Sequence, residues 1–211
     1  MSVFDHSRQG LLVVAGAVAA VAACAVAGCW YVGLFTSDGR FGGLDACTLL
    51  PPPDTLAPLV AHGAREPGSS RPKTLLGWGG DASSECKWSS VPRGRDQPFR
   101  TARIHAETAV REGRTSAETQ AERVLASWRR KNHAAPVRPV GVGEAGYATT
   151  DEMTVQILTS RIVIYDVHVE FRISNAVVDV SARTHSRPDA RAAALVRGLA
   201  ENVAERLSRT G

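Results

Sequence analysis

Between Leu11 and Phe35 the chain runs for 25 residues without a formal charge. As a helix this stretch is about 37 Å long at the standard rise, enough to cross a bilayer core with some tilt. Trp30 and Tyr31 stand near its C-terminal end, where amphipathic rings favour the headgroup level. The run therefore divides the chain into a short cytoplasmic tail over 1–10, a transmembrane helix over 11–35, a tether over 36–44 and an extracytoplasmic domain over 45–211. The last of these has the usual size of one domain.

A lipoprotein signal is the rival reading of the same segment. Val26-Ala27-Gly28-Cys29 places small residues ahead of a cysteine that lipidation at Cys29 would use, and Val21-Ala22-Ala23-Cys24 fits more loosely. Two features favour the retained helix: Trp30 to Phe35 stay apolar where a lipidated terminus turns polar, and Arg8 is offset by Asp5 in the n-region. A cleaved, released form is the third alternative. On the first two readings the cell membrane is a partner.

The formal net charge is +4. Asp5 and Arg8 cancel, so the excess falls on the domain, where it forms no clustered stripe of the kind nucleic-acid binding needs. Hydrophobic residues at 44% and charged residues at 22% are near the globular average, so the domain can bury a core.

Pro51-Pro52-Pro53-Asp54 predicts a helix of two or three turns from about residue 54. The Gly-, Ser- and Pro-rich stretch from His62 to Ser84 reads as an irregular loop. Cys86 to Ser89 reads as a strand whose partner is Arg100 to Glu107. Thr115 and Glu118 have capping-box spacing ahead of Ala121, Val124, Leu125 and Trp128, which predicts a helix to about Arg130. Met153 to Leu158 and Arg161 to Ile173 are β-rich runs. In the second, Val167, Val169, Phe171 and Ile173 share one face, and His168, Glu170 and Arg172 face away. Ser174-Asn175 is a turn into a strand over Ala176 to Arg183, and Ser186 with Pro188 opens a last helix carrying Leu195, Leu199, Val203 and Leu207. This order lacks a regular βαβ rhythm and predicts an α+β fold, an antiparallel sheet of about five strands flanked by helices.

Cys24 and Cys29 lie in the apolar segment, leaving Cys47 and Cys86 in the domain. An even pair outside a membrane favours a disulfide, with two buried free thiols as the alternative. The pair has no Cys or His at ligand spacing to complete a tetrahedral metal shell. The order Asp45-x-Cys47-x-Leu49-Leu50, Cys86-x-Trp88 and Val142-Gly143-Glu144-Ala145 resembles an uncharacterised family of actinobacterial extracytoplasmic lipoproteins and membrane proteins over about residues 45–208. That family is distantly similar to the extracellular sensor domain of a mycobacterial serine/threonine kinase and to lipoproteins of Mog1/PsbP-like fold. The resemblance implies an exported domain, an antiparallel sheet between helices and a Cys47–Cys86 disulfide. It implies no reaction.

Gly141-x-Gly143-x-x-Gly146 matches a dinucleotide fingerprint but follows a Pro-containing linker and leads into β-structure, so it reads as a turn. No HExxH, G-x-S-x-G or Walker loop is present, and the histidines are scattered. His168 reads as a solvent-facing or rim side chain, and Arg93, Arg95, Arg100 and Arg103 as a solvated face or a basic patch. Trp88 reads as core; Trp78, in Gly-Trp-Gly-Gly, reads as packing or as a candidate ligand contact. No catalytic residue, cofactor or metal ligand is assigned. The sequence is thus read as a non-catalytic, membrane-anchored binding or sensor-like module for an envelope ligand or protein. An envelope enzyme with a dispersed site, or a structural component, is the alternative.

Overall fold

The computed structural model describes residues 22–26, 28–29, 36–71, 82–90, 99–131 and 136–210. Residues 22–26 and 28–29 are helical; the rest of the apolar segment, Trp78, Arg93 and Arg95 lie outside the described residues. Among the described residues no helix is long and apolar enough to cross a membrane.

The elements are α1 (Ala46–Leu49), α2 (Pro53–Leu56), β1 (Ala64–Arg65), β2 (Ser69–Arg71), β3 (Ala82–Ser89), β4 (Thr101–Thr108), α3 (Ala117–Lys131), β5 (Arg138–Pro139), β6 (Ala145–Ile157), β7 (Ser160–Ile173), β8 (Ala176–Thr184) and α4 (Ala190–Thr210). The eight strands form one antiparallel sheet in the order β1-β3-β4-β8-β7-β6-β5, with β2 also on β3. The α+β expectation holds at this level, with more strands than the five expected.

Alternation sends Val167, Val169 and Phe171 of β7 and Val178 and Val180 of β8 to one face, all essentially buried, with α4 packed over β7 and β8 and α1 over β3 and β4. Each such side chain contributes about 1.5–3 kcal/mol by leaving water. From α4 come Val196, Leu199, Val203 and Leu207, one stripe at helical spacing. The opposite face is also covered over part of its area, by α3, whose Ala121 and Leu125 pack on Tyr147 and Val177.

Several local expectations are corrected. The helix after Pro53 is a single turn, closed by the Ala57 N–H donating to the Pro53 carbonyl. Residues 62–84 are not wholly irregular, since β1, β2 and the start of β3 fall there, held by backbone pairing instead of by apolar side chains. The cap of α3 is Ser116, not Thr115: its hydroxyl accepts from the Thr119 N–H at 3.2 Å. Likewise α4 begins at Ala190 with Asp189 accepting from the Ala192 N–H at 2.7 Å, so Ser186 is not its cap.

Residues 37–41, read as part of a tether, are fastened to the domain. The Ser37 hydroxyl donates to Glu118 and its carbonyl accepts from the Ala117 N–H. Asn175, fully buried in the turn between β7 and β8, accepts from the Phe41 N–H and donates to the carbonyls of Phe41 and Ala109. Gly39 lies so close to it that a Cβ there would stand 2.2 Å from Asn175 Cγ. At the other end, β6 and β7 stay paired to Ile157 and Ser160 while β8 stops pairing at Tyr165–Thr184. The ribbon beyond projects from the sheet and ends at Leu158, 93% exposed.

Candidate functional site

Antiparallel registration arranges the α3 side of the sheet into rows of polar groups. One row is Glu85, His105, Asp179, Glu170 and Tyr147; the next is Lys87, Arg103, Ser181, His168 and Thr149; the third is Ser89, Thr101, Arg183, Asp166 and Asp151. His168 is not solvent-facing as its alternation suggested. Its side chain is 12% exposed and its Nδ1 lies 2.9 Å from Asp179 Oδ1. The other Asp179 oxygen accepts from Arg103 Nη2 at 2.7 Å, and Arg103 also faces Glu85 at 3.6 Å. Arg103 is thereby spent in a network and forms no basic patch with the exposed Arg100.

Burial opposes ionisation of Asp179, but the hydrogen bond and charge of His168, with Arg103 behind them, hold its carboxyl below the ordinary value. Burial also opposes a charged His168, and the bond and charge of Asp179, with Asp166 and Asp151, raise it nonetheless. Asp151 is raised by burial and by its acidic neighbours Asp166 and Asp179, with His168 working against them. Its Oδ1 is buried without a hydrogen-bond partner among the described residues. His168, Glu170 and Asp179 place potential metal-ligand atoms within 4.8 Å of one another, but the atoms of Asp179 are engaged by His168 and Arg103.

This network does not assemble a nucleophile. Ser181, directly across from His168, accepts from Arg103 Nε at 3.1 Å, and His168 Nε2 looks toward Asp151 Oδ2 at 3.8 Å. Among the described residues the imidazole nitrogens face carboxylates and hydrogen-bond to no hydroxyl or thiol, although Ser181 and Thr149 flank His168 on the neighbouring strands.

On the other face lies a cleft of about 730 Å³, within the range of small-molecule sites. One wall is the first part of α4, where Ala190, Ala193, Ala194 and Arg197 recur at helical spacing. The other is β5 with Pro136, and the floor is Ala148, Thr150, Tyr165, Val167 and Val169. Arg138 pairs with Ala148, so it stands on the cleft side of the sheet. Neither Arg138 nor Arg187 has an ion-pair partner among the described residues, whereas Arg197 pairs with Glu201 at 2.9 Å on the exposed helix surface. Of the two lining acids, Asp189 caps α4 and Glu152 lies opposite Tyr165 toward the ribbon. A second cleft, about 640 Å³ beside Cys47, is lined by charged residues such as Arg65 and Glu66 and by Ser69, Ser70 and Ser84.

Cys47 and Cys86 are bonded with Cα atoms 5.0 Å apart, joining α1 to β3. Cys29 is in no disulfide among the described residues. Trp88 packs against the core, partly buried, its indole N–H donating to the Val60 carbonyl at 3.3 Å. The Gly141-x-Gly143-x-x-Gly146 stretch leads into β6, with Gly143 at φ 65° where a Cβ would meet the Arg172 carbonyl at 2.5 Å, which makes it a turn. The cleft itself was missed from the sequence: its walls are mostly alanine and proline, and its arginines are far apart in the chain. No family model, curated protein or solved structure matches the chain.

Proposed function

We propose that the chain is a membrane-anchored, extracytoplasmic binding module, that its ligand lies in the cleft between α4 and β5–β7, and that it performs no reaction on that ligand. The observation that carries the reading is the cleft's composition: alanine, valine and proline side chains make up much of its lining, Thr150 and Tyr165 add hydroxyls, and its basic groups are Arg138, Arg187 and Arg197. An apolar concavity with few polar groups holds a ligand without attacking it. The imidazole that would serve as a base lies on the opposite face of the sheet, among carboxylates. The 25-residue charge-free segment and the disulfide support the anchor and the oxidising compartment.

Native mass spectrometry of the full chain, purified from membranes, tests this. Wild type is expected to carry a small molecule that Ala194→Trp, which fills the cleft, has lost, and that molecule should keep its mass on prolonged incubation. Equal retention by both proteins, or conversion of the molecule, would overturn the reading.

A further inference from the structure

Resting on that reading of the cleft, we propose that its ligand is a single-chain amphiphile with a carboxylate head, the head held between Arg138 and Arg197 and the chain lying over Val169, Val167 and the alanines of α4. The direction follows from the levels of the charged groups. Glu152 pairs with Tyr165, Tyr165 pairs with Thr184, and Arg187 follows three residues later, so an acid and a base share the ribbon end of the cleft. Further along, Ala148 pairs with Val169 and Arg138 pairs with Ala148. That level is about 13 Å from Tyr165, four strand residues away. Arg197 lies about 10 Å along α4 from Ala190, on the facing wall. Two guanidinium groups from opposite walls thus meet no lining acid at their own level: Asp189 caps α4 eight residues before Arg197, and the partner of Arg197 is Glu201, outside the lining.

The chemistry of the walls selects the rest of the ligand. Between the two arginines and Tyr165 the floor and helix wall present Val167, Val169, Ala193 and Ala190, which reward methylene groups, with Thr150, the cross-strand partner of Val167, as the polar residue at that level. A guanidinium binds a carboxylate through paired N–H donors, and its exposed bond to Glu201 costs Arg197 little to exchange. A ligand that is apolar along its length and anionic at one end satisfies both halves of the cleft.

The test uses the full chain in phosphatidylcholine nanodiscs and a palmitic acid carrying a mid-chain diazirine, with its methyl ester as control. Crosslinks are mapped by mass spectrometry. The acid should label peptides within 136–152 and 187–201 about tenfold more than the ester, the scale of a charged hydrogen bond. Arg138→Glu with Arg197→Glu should remove that preference while leaving ester labelling unchanged, and Ala194→Trp should abolish labelling by both, with the melting temperature of each variant near wild type. Equal labelling by acid and ester overturns the carboxylate and leaves the cleft as the binding site. Labelling of neither above the Ala194→Trp level overturns the amphiphile altogether. The co-purified molecule described above then decides whether the cleft binds anything.

Discussion

His168 Nδ1 stands 2.9 Å from Asp179 Oδ1, a bond that joins two neighbouring rows of side chains on the sheet, and each residue shifts the other's proton affinity in its own favour. The groups facing the imidazole are Asp179 from β8, Asp166 from its own strand and Asp151 from β6, with Arg103 of β4 behind Asp179. A raised folded value for His168 contributes stability fully present below its ordinary 6.5 and lost as pH rises through the folded value. A lowered value for Asp179 contributes stability present above its ordinary 3.8 and lost as pH falls through the folded value. The pair therefore stabilises most between these limits, and Asp151, raised, titrates with the sign of the histidine. Thermal melts of the full chain in detergent should show a decline on the alkaline side of 6.5 that His168→Gln flattens. An unchanged alkaline limb in that variant would contradict the pairing.

Asp179→Ala removes the shared acceptor and leaves Arg103 and His168 facing each other in a largely buried site. The expected loss is about 3–5 kcal/mol, the scale for breaking one side of a buried ion pair. Arg197→Gln, which ends an exposed pair one helical turn long, should change stability by less than about 0.5 kcal/mol. Urea unfolding of the two variants separates them.

Replacing Cys47 and Cys86 by alanine frees a loop spanning a sequence separation of 39 residues. The chain-entropy model gives a loss of about 4 kcal/mol. Limited proteolysis should then cut first between residues 62 and 84, whose strands β1 and β2 are two and three residues long. A double variant that melts with wild type under oxidising conditions would show that the bond does not hold this edge.

Asn175→Ala strands the Phe41 N–H and the carbonyls of Phe41 and Ala109. Each buried group left unpaired costs about 1–3 kcal/mol. Hydrogen exchange should show the Phe41 amide losing protection before the β7–β8 ladder does. Equal protection in variant and wild type would mean that other contacts hold this segment.

The proposed anchor separates from lipidation by one substitution. Cys29→Ala should leave the chain in the membrane fraction after alkaline carbonate extraction and leave its mass unchanged apart from the substitution. Loss of an acyl adduct, with release from the membrane, would instead identify Cys29 as the attachment point.

Where side chains carry strong periodic signals, the sequence reports the fold well. The alternation through Val167, Val169 and Phe171, the turn at Ser174-Asn175, the pairing of Cys86 to Ser89 with the strand after Arg100, and the stripe of Leu199, Val203 and Leu207 all read directly. Elements held by backbone pairing do not. Residues 145–152 of β6 include Ala145, Gly146, Ala148, Asp151 and Glu152, a poor strand composition made into strand by its full-length ladder with β7. The polar rows were half legible: alternation put His168 on the right face, but burial under a neighbouring helix and pairing with residues on other strands are long-range properties. The cleft was illegible, because Ala193 and Ala194 acquire meaning only from the space the fold leaves beside them.

Residues 37–41 are fixed at the turn between β7 and β8, and the β6–β7 ribbon leaves the sheet at its other end. The 14 residues of β7 separate the two by about 45 Å. Tension between residue 36 and the ribbon tip would run down the covalent backbone of β7, which does not yield, and through the hydrogen bonds of Ser37 with Ala117 and Glu118 and then those of Asn175 with Phe41, which do. Under pull, the segment would come away from Ser37 toward Phe41, releasing chain while the sheet stays closed.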